Sequence, residues 1–169
     1  MKIKQLLALF CFSLFALSGF AQTKEAKRAE FEWEKIVPLV TKKTGVENYF
    51  GKPYMNCILT CSYDTNSGRI IVFYRGLTES KDLPYTCNAS SDTVSNFHIT
   101  LTKAIPIEGL GWNLDKFNKA PRDAEIYVYS YVEKGIYFTT FNGQDGKELV
   151  STITYMPSYT NIKNKCIKK

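Results

Sequence analysis

Between Thr23 and Gly45 the apolar residues Ala26, Ala29, Trp33, Ile36, Val37 and Val40 recur at steps of mostly three and four. Glu25, Lys27, Arg28, Glu32 and Lys35 take positions between them. That period lines one face of a helix and predicts one over residues 23–44, with Thr23 as N-cap and Gly45 just past its end. Pro38 interrupts the pattern, because it has no N–H to donate and kinks or ends a helix near Val37.

Beyond Asn56 the period shortens to two. Residues 58–63 and 69–75 flank the turn cluster Asp64-Thr65-Asn66-Ser67-Gly68 and predict a hairpin. A polar stretch over 76–93 reads as a loop. Residues 94–103 alternate again, with Phe97, Ile99 and Leu101 on one face and Asn96, His98, Thr100 and Thr102 on the other. The longest interruption, 104–124, carries Pro106, Gly109, Gly111 and Pro121 around Trp112, and Asn113 to Phe117 has the pattern of one capped helical turn. Residues 126–132, 136–141 and 149–156 then form an antiparallel meander joined by turns at Lys134-Gly135 and over Asn142 to Lys147. The expected fold is α+β: an N-terminal helix on a curved antiparallel sheet of about six strands, ending in a three-strand meander. A β-sandwich or small barrel with an appended helix is the competing architecture. Without βα alternation, a doubly wound nucleotide-binding fold is not expected.

The segment before residue 22 belongs to a different class. Lys2 and Lys4, an apolar run from Leu6 to Leu17, and Gly19-Phe20-Ala21 have the order of a secretory signal peptide cut after Ala21. The run is too short to span a membrane as a helix, and Cys11 lies inside it, not at the cut, so no lipid anchor is expected. The expectation is one exported domain over 22–169, periplasmic or extracellular. Losing Lys2 and Lys4 lowers the formal charge from +6 to +4, with four lysines gathered after residue 162. Export makes nucleic acid an unsuitable partner for that mildly basic chain.

Export also decides how the cysteines read. Cys57, Cys61, Cys87 and Cys166 remain after cleavage, an even set that in an oxidising compartment predicts two disulfides rather than a zinc site. If 57–63 is a strand, Cys57 and Cys61 lie about 13 Å apart, beyond the roughly 7 Å a disulfide spans. Each must then pair with Cys87 or Cys166, and because the turn at 64–68 returns the chain to Cys57 just before the loop that carries Cys87, Cys57–Cys87 and Cys61–Cys166 are expected.

Candidate chemistry is sparse. His98 is the single histidine, and it falls on the polar side of its strand. No phosphate-binding loop, nucleophile elbow or metalloprotease helix is present, and neither metal nor cofactor is expected. The positive signal is aromatic. Tyr127, Tyr129 and Tyr131 are spaced by two and project from one face of a strand. Ile126, Val128 and Val132 project from the other and are the expected core. A turn at Lys134-Gly135 sets Tyr131 opposite Phe138 and Tyr129 opposite Thr140. Trp112 joins the tyrosines as a binding candidate because its loop is long and flanked by glycines. Rings with flat apolar area and a hydroxyl stack on sugars or anchor protein partners. The expected function is thus a non-catalytic exported binding module recognising a protein or glycan at the cell envelope. One concrete version is an inhibitor or neutraliser of an envelope-attacking hydrolase. The alternative is a small secreted hydrolase without a recognisable motif, working through His98 or unmarked acids.

Overall fold

The computed structural model describes residues 31–54, 57–74 and 85–168. Seven strands form the main sheet: β1 (Thr60–Thr65), β2 (Gly68–Tyr74), β4 (Val94–Pro106), β5 (Asn118–Asp123), β6 (Ile126–Tyr131), β7 (Ile136–Asn142) and β8 (Glu148–Tyr155). Their order is β1-β2-β4-β8-β7-β6-β5, and all pairings are antiparallel. A separate ribbon pairs β3 (Tyr85–Cys87) with β9 (Cys166–Lys168). Two short helices complete the fold, α1 (Lys43–Phe50) and α2 (Tyr159–Lys165). The architecture is β-rich α+β, and the main sheet is open, with β1 and β5 as its edges.

The hairpins form where the alternation places them. β1 and β2 close over a two-residue turn, Asn66-Ser67, with Thr65 opposite Gly68. Gly68 is required by close approach: a Cβ there would lie against the backbone carbonyl oxygen of Thr100. The predicted 126–156 meander is present as β6, β7 and β8. Its register differs from expectation, since Tyr129 faces Phe138 and Tyr127 faces Thr140. The reason is the connection. Residues 132–134 make a 3-10 turn before Gly135, so the strands close on Tyr131 and Ile136 instead of on a tight two-residue loop.

The N-terminal helix is the main correction. Residues 23–30 lie outside the described residues, and from Phe31 onward the chain makes a single 3-10 turn, Glu32–Lys35. Leu39 then takes a left-handed φ of 62°, a conformation that costs an L-residue about 1–2 kcal/mol. No helix reaches Pro38, and the chain turns to pair with residues 92–94: Leu39 N–H donates to the Val94 carbonyl, and Val94 N–H donates back to the Thr41 carbonyl. The helix begins at Lys43, runs through Gly45, and ends at Gly51, whose φ of 78° suits a C-terminal stop. The expected helical face is therefore split. Trp33 and Ile36 are buried, while Val37 and Val40 are exposed.

One face of the sheet carries the core. Tyr63, Ile70, Val72, Phe97, Ile99, Ile153, Phe138 and Tyr129 point to it. Two segments outside the sheet add to the core: residues 31–50, through Trp33 and Ile36 and through Val46 of α1, and the connection from β4 to β5, through Ile107 and Leu110. Trp112, Leu114 and Phe117 pack against it. The connection exists because β5 lies at the far edge from β4, so the chain must cross before the meander brings β8 back to pair with β4. The opposite face carries a row from Ser62 through Ile71, His98, Thr154 and Tyr137 to Ser130, all half-buried.

Both disulfides form, with a pairing other than the expected one: Cys57–Cys61 and Cys87–Cys166. The strand begins at Thr60, not at residue 58, and residues 57–59 bend. The bend brings the Cα atoms of Cys57 and Cys61 to 5.1 Å. Cys87 and Cys166 are direct partners in the β3–β9 ribbon. Two disulfides are consistent with an exported protein.

Candidate binding site at the β5 edge

Alternation along β6 puts Tyr127, Tyr129 and Tyr131 on the core face, with Ile126 and Val128 on the opposite one. This reverses the expected assignment of the two faces. Tyr129 is buried, Tyr127 and Tyr131 are half-buried, and Val132, expected in the core, is 58% exposed in the turn after the strand. The strand keeps its tyrosine face inward because the crossing connection supplies apolar cover on that side. Trp112 stacks on Phe117 with ring centroids 5.7 Å apart and meets Phe138 at 5.5 Å. Phe117 in turn meets Tyr131 edge-on at 5.4 Å, and Tyr129 stacks on Phe138 at 4.7 Å. The structure thus gathers Trp112, Tyr129 and Tyr131 into one aromatic cluster. Trp112 is half-buried within it, so packing is its first role.

Tyr127 lies next along the row, joined by a polar group that the sequence did not mark. Lys119 of β5 pairs with Tyr129 across the strands and lays its ammonium 4.0 Å from the centre of the Tyr127 ring. The same ammonium bonds Glu148 Oε2 at 2.9 Å. Glu148, at the start of β8, also accepts from the Tyr129 hydroxyl at 2.9 Å and from Thr140 at 2.5 Å. Lys119 was hidden in the stretch read as an interruption. Glu148 lay at a turn boundary, and only its place between an aromatic strand and a fully buried threonine gives it a role.

The electrostatics follow from these contacts. Burial alone would push the Glu148 carboxyl up, but the donors Thr140, Lys119 and Tyr129 outweigh it and hold it below the usual carboxylate range. Lys119 is raised, first by the Tyr129 hydroxyl and then by Glu148. Burial raises the Tyr129 phenol. All three shifts fix the ordinary charge state at neutral pH, whereas acid–base catalysis needs groups poised near the working pH. The cluster can present a fixed cation, a fixed anion and aromatic edges.

His98 stands apart from the cluster, on the open face. Its Nδ1 lies 2.9 Å from the Thr154 hydroxyl, and burial lowers its pKa. Among the described residues, no group of three or more His, Cys, Asp or Glu is placed to hold a metal ion. Likewise, no helix among them is long and apolar enough to cross a membrane. Comparison with known proteins finds no matching family model, no matching curated protein and no matching solved structure, so this site is read from its own residues.

Proposed function

We propose that this chain is a non-catalytic exported binding module that recognises a protein or glycan at the cell envelope through the β5 edge. The observation that supports this most is the rim of the aromatic cluster. Tyr127 and Tyr131 remain half-exposed on either side of buried Tyr129, and Lys119, with 42% of its side chain exposed, caps Tyr127. The rings are held by packing, so a partner meets a surface that loses little freedom on binding. Immobilised protein should retain a component of a solubilised envelope fraction. Tyr127→Ala should cut retention about tenfold, the loss of a contact worth about 1.4 kcal/mol, with an unchanged melting temperature. Digesting the retained material with protease or glycosidase assigns its class. Retention that is indifferent to Tyr127→Ala, Tyr131→Ala and Lys119→Ala overturns the reading.

A second version, the inhibitor of an envelope-attacking hydrolase, is favoured by a different feature. The Cys57–Cys61 disulfide closes a five-residue ring that carries Ile58 at 88% exposure beside exposed Leu59. Its carbonyls are held by Lys43 Nζ and by the Tyr74 N–H. A rigid apolar projection of this kind fits a cleft. The hydrolase alternative has less support, since the His98 imidazole is engaged with Thr154 and belongs to no catalytic constellation among the described residues.

A further inference from the structure

The net charge of the chain sits in one segment. Residues 157–169 carry Lys163, Lys165, Lys168 and Lys169 and no acid, and these charges equal the whole formal charge of residues 22–169, so 22–156 is formally neutral. In the fold α2 lies at the end of the sheet where β6 stops, β7 starts and β8 stops. It packs against the turn at 132–134, and Asn161 Nδ2 donates to the Pro38 carbonyl at 3.1 Å. The Met156 N–H donates to the Gly135 carbonyl at 2.7 Å. Three segments therefore meet at one corner: 37–41, 132–135 and 156–165. Glu133 is their only acid, against exposed Lys134, Lys163 and Lys165. Among the described residues none of these lysines has a carboxylate partner.

The same three segments leave Val37, Val40, Val132, Met156 and Tyr159 exposed, half of the ten large apolar side chains exposed among the described residues. Tyr159 is the most exposed of the five, at 64%. It stands four residues before Lys163 on α2, so the two share a helix face. The opposite end of the sheet differs in kind, since its turns pair their charges as Asp64 with Arg69 and Asp145 with Lys147.

We propose that this corner docks, reversibly and peripherally, on the surface of an anionic phospholipid bilayer. The reading is independent of the β5 edge. A bilayer meets both needs of the surface at once. Its headgroup phosphates attract the lysines, and its acyl boundary takes up the exposed apolar side chains. Tyrosine suits that depth, with its ring in the apolar layer and its hydroxyl among the headgroups. A soluble polyanion would serve the lysines and leave the apolar side chains in water. An apolar protein pocket would have to desolvate the lysines. The segment after α2 is tied to the fold by Cys87–Cys166 and by the Asn88 N–H, which donates to the Lys165 carbonyl at 2.6 Å. The surface is therefore presented ready-made. Ile58 and Leu59 lie on the β1 side of this sheet end, three strands from β8, and stay outside the contact.

The test is vesicle co-sedimentation of the chain from residue 22 onward, because the apolar run at residues 6–17 would bind lipid by itself. The probes are vesicles of phosphatidylcholine alone and vesicles that also hold phosphatidylglycerol at about 30 mol %. The anionic vesicles should retain the protein at about 1 mM lipid, the neutral ones should retain little, and binding should weaken as salt rises. Lys163→Gln and Lys165→Gln should each weaken it about fivefold. Tyr159→Ser and Val132→Ser should each weaken it several-fold at constant charge, with the melting temperature unchanged. Hydroxyl-radical labelling on the anionic vesicles should fall at Tyr159 and Met156 and stay unchanged at Tyr127. No binding to anionic vesicles, equal binding to both vesicle types, or indifference to the lysine substitutions overturns the proposal. Indifference to Tyr159→Ser and Val132→Ser also overturns it, because the lysines then serve any polyanion. Tyr159 protected by envelope protein but not by vesicles would assign the corner to a protein instead. The vesicles hold neither protein nor glycan, so a failure here leaves envelope capture through Tyr127 standing, and the two readings fail separately.

Discussion

Glu148→Ala should destabilise the protein by about 2–4 kcal/mol, although the residue lies next to a surface turn. The magnitude follows from what the side chain satisfies. Its removal strands the Tyr129 hydroxyl, on a residue that is 7% exposed, and the hydroxyl of Thr140, which is fully buried. A buried donor left without an acceptor costs about 1–3 kcal/mol. Lys119 adds little, because its half-exposed head is rehydrated once released. For a domain of this size the loss corresponds to a fall of roughly 6–12 °C in Tm, at about 3 °C per kcal/mol. Urea unfolding monitored by tryptophan fluorescence measures it. Glu148→Gln adds a pH arm. The folded carboxyl is depressed relative to the unfolded chain, so its contribution is complete above the unfolded value of about 4.3 and is lost as pH falls through the folded value. Wild type and Glu148→Gln should therefore differ at pH 7 and converge at low pH. A gap under about 0.5 kcal/mol at neutral pH, or one that stays constant down to pH 2.5, refutes the argument.

Peptide mapping without reduction should recover Cys57–Cys61 and Cys87–Cys166, and removing the second bridge should cost more. Its sequence separation is 79 against 4, worth about 4.5 against about 2 kcal/mol in the chain-entropy model. Trp112→Ala should lower stability by about 2–4 kcal/mol, because the ring packs against Phe117 and Phe138; an unchanged Tm would show that the indole is a surface feature. Gly135→Ala should cost at least about 2 kcal/mol, since φ is +68° and a Cβ would meet the carbonyl oxygen of Met156; near-wild-type urea unfolding would refute that packing. His98, lowered by burial, should titrate by NMR below the ordinary value of about 6.5. Its contribution to stability is then full above that value and lost as pH falls through the folded one; a folded pKa above 6.5 would contradict the burial.

The parts of the fold legible in the sequence are those where one period decides. Alternation at Phe97, Ile99 and Leu101 placed the buried face of β4, and the meander of β6 to β8 followed from Lys134-Gly135 and the turn after Asn142. The helix was misplaced because Trp33 and Ile36 share a spacing with exposed Val37 and Val40, while Pro38 and a long-range pairing with residues 92–94 govern the backbone. Period alone does not reveal a partner more than fifty residues away. The same limit reversed the faces of β6. Tyrosine and isoleucine are both good strand residues, and which one faces inward depends on where Trp112 and Phe117 are laid by the β4–β5 connection. The disulfide pairing turned on whether residues 57–59 bend, a matter of two residues at a strand boundary. The tyrosine row itself was visible. Its partners Lys119 and Glu148 were not, because they come from separate strands and meet only once β5 and β8 are placed.

Hydroxyl-radical footprinting of the chain from residue 22 onward, with and without a solubilised envelope fraction, tests the β5-edge reading most directly. Every aromatic ring is a reporter, so one experiment compares all the surfaces at once. The account predicts protection at Tyr127 and Tyr131, with Tyr54, Ile58 and Leu59 labelled as strongly as in the free protein. Protection confined to the disulfide ring at residues 57–61, or no protection anywhere, would contradict it.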